Sequence, residues 1–262
     1  MAFPLPLETR RAALDGLRAA LAAEHRGASP EAFTLAEESV VRSGLRTLDA
    51  ALGGGFPRGV IATLEGPPGS GRSAVAARLL ATATAGGGLG AIVESPGGAE
   101  GSFFPPALAA AGVDLERLLV VRVENVAQVA RATDILMRSA AFGVVAIPTV
   151  ALRAALWTRL ASATHRANAL LLAVGTEASD ELRYFASLRV RLQPSHVRFA
   201  GESGLFCALA GIGVEASVLK HKRAAPGRHA AFSCATFERE DAPLCALRER
   251  ALATASRAAV AW

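Results

Sequence analysis

Short apolar runs alternate with amphipathic segments through the middle of the chain. The runs with the length and apolar content of buried strands are Val60–Glu65, 91–94, 143–147 and 169–174. The segments with helical periodicity between them are 73–84, 125–141 and 151–166. This alternation predicts an α/β fold, with a central, mostly parallel sheet flanked by helices on both faces.

The pattern becomes rich in strands from residue 186 onward. Residues 186–193, 205–223 and 229–238 have the character of strands, and no helical segment separates them. Antiparallel strands need only short connections, whereas parallel strands need long crossovers. We therefore expect antiparallel strands that extend the same sheet at one edge.

Amphipathic helical segments are also predicted near both ends of the chain, at residues 8–25 and 242–259. The residues of their apolar stripes are Leu14, Leu17, Leu21, Leu244 and Leu247, with Trp262 ending the chain. Each stripe either covers the chain's own core or faces a partner protein. The predicted parts are an N-terminal helix and linker (1–42), a core domain (43–240) and a C-terminal amphipathic tail (241–262).

Composition narrows the class of protein. The chain has 262 residues, of which 52% are hydrophobic and 19% charged, and this excludes a disordered protein. No apolar run is long enough to span a bilayer, and the N-terminus does not resemble a secretion signal. The three cysteines, Cys207, Cys234 and Cys245, have no paired spacing. We expect a cytoplasmic protein without disulfides, a zinc site or another metal site.

The net charge is +5, and the basic residues are arginines apart from Lys220 and Lys222. A basic balance favours an acidic partner, such as nucleic acid or an acidic protein. The alternative is that scattered arginines serve only to keep the protein soluble.

A glycine-rich loop lies between the strand at Val60–Glu65 and the following helix. Residues 66–73 fit the phosphate-binding pattern G-x-x-x-x-G-K-[ST] at every fixed position except the lysine. The candidate nucleotide-binding residues of this degenerate loop are Gly66, Gly69, Gly71, Arg72 and Ser73. The alternative is a glycine-rich turn without a ligand.

Two departures argue against ATP hydrolysis. Arg72 stands where the pattern needs a compact lysine, and guanidinium is longer and planar. The strand at 143–147 is followed by Pro148 and Thr149, where phosphoryl transfer needs a carboxylate to organise Mg²⁺. We expect weak or absent binding of ATP and Mg²⁺, no cofactor and no catalytic residue.

Four collinear stretches resemble the RecA recombinase superfamily. They are 43–53 (SGLRTLDAALG), 112–119 (GVDLERLL), 185–190 (FASLRV) and 218–226 (VLKHKRAAP). The resemblance implies a RecA-like P-loop core. It places Pro148 at the metal-organising aspartate and Phe104 and Ala107 at the residues that cradle adenine. It places the water-activating glutamate within one residue of Glu94 and leaves no room for the two DNA-binding loops.

A RecA-like chain with a broken phosphate loop resembles the ImuA group, also called SulA-like. This implies a damage-induced, SOS-type accessory protein in translesion DNA synthesis and mutagenesis, which does not hydrolyse ATP. The implied partners are RecA, ImuB and, indirectly, an error-prone polymerase, with weak or no DNA binding and no membrane. Lys220 and Lys222 would face a nucleotide held by a RecA subunit, so the chain could cap or inhibit a RecA filament.

Two other hypotheses stay open. One is a divergent DNA-dependent ATPase or recombinase in which Arg72 replaces the lysine and Glu94 or Glu65 organises Mg²⁺. The other is a nucleic-acid binder that uses the basic stretches 183–198 and 220–228, with binding that weakens steeply with salt.

Overall fold

A computed structural model describes residues 40–95, 103–200, 208–224 and 227–235. Both predicted terminal helices, with all of the stripe leucines and Trp262, lie outside these ranges. Within the ranges, no helix combines the length and apolar character needed to cross a membrane.

The described residues form ten strands and six α-helices. The strands are β1 (Val40–Val41), β2 (Phe56–Pro57), β3 (Val60–Glu65), β4 (Leu89–Glu94), β5 (Leu118–Arg122), β6 (Phe142–Pro148), β7 (Leu170–Gly175), β8 (Leu188–Ala200), β9 (Ala208–His221) and β10 (His229–Ala235). The helices are α1 (Arg46–Ala51), α2 (Arg72–Thr84), α3 (Pro105–Ala110), α4 (Val126–Ser139), α5 (Ala154–Ala167) and α6 (Asp180–Phe185).

Eight of these strands form one mixed sheet in the order β10-β9-β8-β3-β7-β6-β4-β5. The six strands from β8 to β5 are parallel, and β9 and β10 add antiparallel pairs beyond β8. The separate pair β1–β2 is antiparallel. The predicted fold, a parallel sheet with antiparallel strands at one edge, is confirmed.

The sheet separates two apolar cores. In β7, Leu170 and Leu172 belong to one core, whereas Leu171 belongs to the other. Because successive side chains of a strand point to opposite faces, a strand that is apolar throughout must be covered on both sides. Leucines of α1 and α2 cover the first face, and side chains of α4, α5 and α6 cover the second.

The sequence pattern missed five short elements, the two-residue strands β1 and β2 as well as β5, α3 and α6. β5 lies at the free edge of the sheet and its residues are only partly buried or exposed, so it lacks the alternation of a half-buried strand. α3 and α6 span six residues each, too few to show a helical period. α5 begins at Ala154 rather than at residue 151, because Arg153 is still extended.

A candidate nucleotide site at the carboxyl edge of the sheet

The glycine-rich loop connects β3 to α2 at the carboxyl edge of the parallel strands. The Gly66 amide lies 3.2 Å from the carbonyl oxygen of Gly175 and 3.1 Å from that of Thr176, which ties the loop to the end of β7. A Cβ at Gly66 would overlap the Leu192 carbonyl oxygen on β8. The loop therefore needs glycine at this position for steric reasons.

The loop ends at the N-terminus of a long helix. Gly71 has φ +85°, a conformation that favours glycine, and its carbonyl accepts the first bond of α2 from the Val75 amide at 3.0 Å. A glycine-rich turn that leads into a helix N-terminus is suited to bind an anion such as phosphate. The backbone predicted for residues 66–73 is therefore present.

The side chains of the loop differ in exposure. Arg72 is buried, with 8% of its surface exposed, whereas Ser73 and Gly69 are exposed. The Ser70 hydroxyl is buried and makes no hydrogen bond within the described part of the chain. A buried hydroxyl without a partner carries a free-energy cost, which a bound anion at the loop would relieve.

Glu65, the last residue of β3, is engaged by neighbouring side chains. Its two carboxylate oxygens accept hydrogen bonds from Nε and Nη2 of Arg189 at 2.8 and 2.9 Å, and Oε1 also accepts one from Thr63 at 2.8 Å. Burial raises the pKa of Glu65, but the bonds from Arg189 and Thr63 and the charge of Arg189 outweigh it. The net pKa of Glu65 is lowered.

Two other strand ends decide whether the site could hold Mg²⁺. Glu94, at the end of β4, is buried; its Oε1 accepts the Phe103 amide at 2.7 Å and its Oε2 lies 3.4 Å from Nε of Arg122. β6 ends at Pro148, whose side chain offers no oxygen. Hard cations prefer carboxylate ligands. The ends of β3, β4 and β6 thus fit a phosphate-binding loop but supply no uncommitted carboxylate for Mg²⁺.

The connections after β6 and β7 are short, as the sequence indicated. Residues 149–153 lead into α5, and residues 176–179 lead into α6. They border an open cavity of about 500 Å³ whose rim includes Glu177, Asp180 and Glu181. Arg183 pairs with Glu177 and, at 3.1 Å, with Asp180. This rim has more acidic than basic groups, which is unfavourable for a DNA backbone.

The lysine pair is divided between two environments. Lys220 Nζ donates to the carbonyl oxygens of Arg183 and Tyr184 at 2.7 and 2.9 Å, at the C-terminal end of α6. Burial, followed by the charges of Lys222 and Arg189, lowers the pKa of Lys220. Lys222 is exposed. A partner-facing role for both lysines stays a prediction, but Lys220 already makes contacts within its own chain.

Sequence reasoning missed Arg189 as a member of this site. Arg189 and Arg191 alternate with the buried residues Val190 and Leu192 on β8. This alternation of arginines with apolar residues was the available signal, and it indicated a strand with one charged side but not its place beside the glycine-rich loop. The partner of Arg189, Glu65, lies 124 positions away, so the pair could not be found from local pattern.

Of the residues aligned with adenine contacts, Phe104 is 66% exposed and occupies the N-cap position of α3.

The fold and the loop together define a RecA-like α/β protein. The family model for the RecA N-terminal domain matches residues 32–160. Protein RecA of Picosynechococcus sp. is 31% identical over 231 residues, which cover 74% of this chain and 64% of that protein. Protein RecA of Nostoc punctiforme is 40% identical over 111 residues, 42% of this chain and 30% of that protein.

A solved structure gives the same fold. The crystal structure of the RadB recombinase matches 75% of this chain and 97% of its own, with a TM-score of 0.58 and 20% sequence identity. At this identity the likeness concerns the fold. The family model and the curated relatives support placing the chain in the RecA superfamily, and the solved structure supports the fold.

Proposed function

We propose that this chain is a RecA-like accessory protein that does not hydrolyse ATP and acts through protein contacts in damage-induced translesion DNA synthesis. Its partners in this proposal are RecA and ImuB, with an error-prone polymerase linked indirectly. The chain would cap or inhibit RecA filaments rather than exchange strands itself. The assignment to the ImuA group is part of the same proposal.

The proposal rests on how the residues at the ends of β3, β4 and β6, around the glycine-rich loop, are bonded. Glu65 is bound by Arg189, Glu94 is bound by Phe103 and Arg122, and β6 ends in Pro148. Phosphoryl transfer depends on positioned charge, with a metal bridging the terminal phosphates. A loop that retains its glycines beside these strand ends supports anion binding without turnover.

Two further features support a role through protein contacts. The connections after β6 and β7 are short, and the cavity beside them has an acidic rim. These features disfavour DNA binding at the edge where the superfamily resemblance implies two mobile loops. Lys222, exposed beside β9, remains available to an acidic group on a neighbouring subunit.

The competing function is a divergent DNA-dependent ATPase or recombinase. The curated relatives named RecA and the complete glycine framework of the loop favour it. In that case Arg72 would replace the lysine, and Glu94 would have to leave its contacts to organise Mg²⁺. The two functions make opposite predictions about turnover.

The test is steady-state ATP turnover by the purified full chain, with and without Mg²⁺ and single-stranded DNA, beside the double variant Arg72→Ala/Ser73→Ala. We expect the wild type and the variant to give the same background rate, because the strand ends provide no metal-organising group. Calorimetry with ATP, with and without Mg²⁺, should show no gain in affinity from the metal. Turnover above the variant that rises with DNA would establish the ATPase and end the proposal.

A further inference from the structure

The outer sides of α4 and α5 contain much of the chain's excess positive charge. Residues 126–167 include five arginines and one acidic residue, a net charge of +4 compared with +5 for the whole chain. The five arginines are all exposed, and we call them the arginine face: Arg131 and Arg138 on α4, Arg159 and Arg166 on α5, and Arg153 immediately before α5. The two helices pack against each other over the same side of the sheet. The charge is therefore concentrated on one surface.

A single carboxylate organises the centre of the arginine face. Asp134 accepts bonds from Nε and Nη2 of Arg159 at 2.8 and 2.6 Å, and its Oδ2 lies 3.0 Å from Nε of Arg138. The Asp134 side chain is 10% exposed, whereas those of Arg138 and Arg159 are 56% and 59% exposed. One negative charge cannot neutralise two guanidinium groups. Asp134 therefore holds both in place and leaves their outer nitrogens accessible to another anion.

The apolar residues of this surface favour a protein over a nucleic acid. Val126, Ile135 and Leu156 are 44%, 53% and 38% exposed on the same two helices. Among the described residues, the large exposed aromatic side chains are Phe104, Tyr184 and Phe199, and these belong to other elements. Proteins that bind single strands stack bases on aromatic side chains. Arginine is instead enriched at protein interfaces, and the buried centre of such an interface is more apolar than the rest of the surface.

We propose that the arginine face binds an acidic, amphipathic segment of a partner protein. Its carboxylates would pair with the guanidinium groups, for which two-point hydrogen bonding is the favoured geometry. Its apolar side chains would cover Ile135 and Leu156. The surface is formed by the helix layer and does not include the glycine-rich loop or Lys222. The inference is thus independent of ATP turnover and of filament capping.

The test uses a fluorescent acidic peptide and a charge-matched pair of variants. The peptide has Glu and Leu at helical spacing and about 14 residues, enough to follow a helix of roughly 21 Å. The first variant, Arg131→Gln/Arg153→Gln/Arg166→Gln, removes three positive charges from the arginine face. It keeps the contacts of Asp134 with Arg138 and Arg159. We expect its affinity in fluorescence anisotropy to fall about tenfold, as lost charge-assisted contacts at three positions predict.

The control variant, Arg46→Gln/Arg117→Gln/Arg198→Gln, removes the same charge from other exposed positions. Its affinity should stay within about twofold of wild type if local contacts, rather than net charge, dominate. Equal weakening of both variants overturns the proposal. So does a single-stranded oligothymidylate that binds the wild type more tightly than the peptide and depends on the same arginines.

A second measurement uses only the wild-type chain and therefore tests the proposal even if the triple variant does not fold. Hydrogen exchange of the wild-type chain with the peptide should show slowed amides in residues 126–139 and 154–167, which form α4 and α5. Protection confined to other elements overturns the proposal. A peptide with the same composition in scrambled order should bind more weakly, because its leucines no longer lie on one side of a helix.

Discussion

At the scale of single residues, the contact between Glu65 and Arg189 has the clearest energetic consequence. The Glu65 side chain has no exposed surface, and that of Arg189 is 14% exposed. When one partner of a buried pair is removed, an uncompensated charge is left inside the protein. This pair joins β3 to β8 directly below the glycine-rich loop, so its loss affects both the sheet and the loop.

We expect Arg189→Met to lower the free energy of unfolding by about 3–5 kcal/mol at neutral pH, since Glu65 would stay buried without its partner. Urea denaturation measures this. The matched control is Arg191→Met, two positions along the same strand and only half-buried, with an expected loss of about 1 kcal/mol or less. The double variant Glu65→Gln/Arg189→Met should lose less than Arg189→Met alone. If Arg189→Met and Arg191→Met lower the free energy of unfolding equally, the Glu65–Arg189 pair contributes no more to stability than a half-buried arginine without such a partner.

The same contact predicts a pH dependence. In the wild type the pKa of Glu65 lies below its ordinary value of 4.5, so the folded state binds the proton less readily than the unfolded state. The stabilisation is present above about pH 4.5 and is lost as pH falls through the lower, folded-state pKa. Without Arg189, the largest remaining influence is burial, which raises the pKa of Glu65. Glu65 of the variant then takes up a proton more readily than that of the wild type, so the stability difference between wild type and Arg189→Met should shrink as the pH falls through the pKa of Glu65 in the variant.

At the scale of secondary structure, α6 illustrates how a short helix depends on a distant side chain. The last carbonyls of a helix have no partner within the helix. Here the ammonium of Lys220 donates hydrogen bonds to the carbonyl oxygens of Arg183 and Tyr184. It lies at the C-terminal end of the helix, which is the negative end of the helix dipole. The six-residue helix is too short to be stable alone. Lys220 thus connects the strand β9 to the segment that follows β7.

Replacing Lys220 with Met should loosen α6 while the sheet stays folded. Loss of bonds from an ammonium to two carbonyls costs about 1–2 kcal/mol, so amide exchange in residues 180–185 should become roughly five- to thirtyfold faster. Hydrogen exchange followed by mass spectrometry measures this. Lys222→Met removes an exposed lysine nearby and should leave the exchange of α6 unchanged. The same acceleration in both variants would contradict the assigned role.

Part of the fold and part of the candidate site could be predicted from the sequence alone. The bounds of β3 match the predicted Val60–Glu65, because a continuous apolar run followed by a glycine-rich loop is a strong local signal. The sequence alone also indicated that Arg72 stands where the loop pattern needs a lysine and that Pro148 stands where a metal-binding carboxylate is needed. The contacts of Glu65 and Lys220 could not, since their partners lie 124 and 37 positions away. Sequence spacing does not specify which strand lies beside which.

At the scale of the whole molecule, the proposed function requires an asymmetry between two surfaces. A head-to-tail assembly grows only while each new subunit offers both contacts. The exposed Lys222 could engage a RecA subunit, while the strand ends around the glycine-rich loop hold no free carboxylate for the metal of the next nucleotide. One chain at a filament end would then suffice to stop its growth.

A small molar fraction of the chain, added before RecA to single-stranded DNA, should therefore shorten RecA filaments measured by electron microscopy. Because one bound end stops many additions, the effect should saturate well below one chain per RecA subunit. Lys222→Glu should restore filament length, whereas Arg46→Glu, the same charge change at another exposed arginine, should not. If the chain is found along the whole filament, or shortens it only at equimolar amounts, it copolymerises and does not cap. If it leaves filaments unchanged but is retained by ImuB in a pull-down, the RecA contact is removed from the proposal and ImuB remains as the partner.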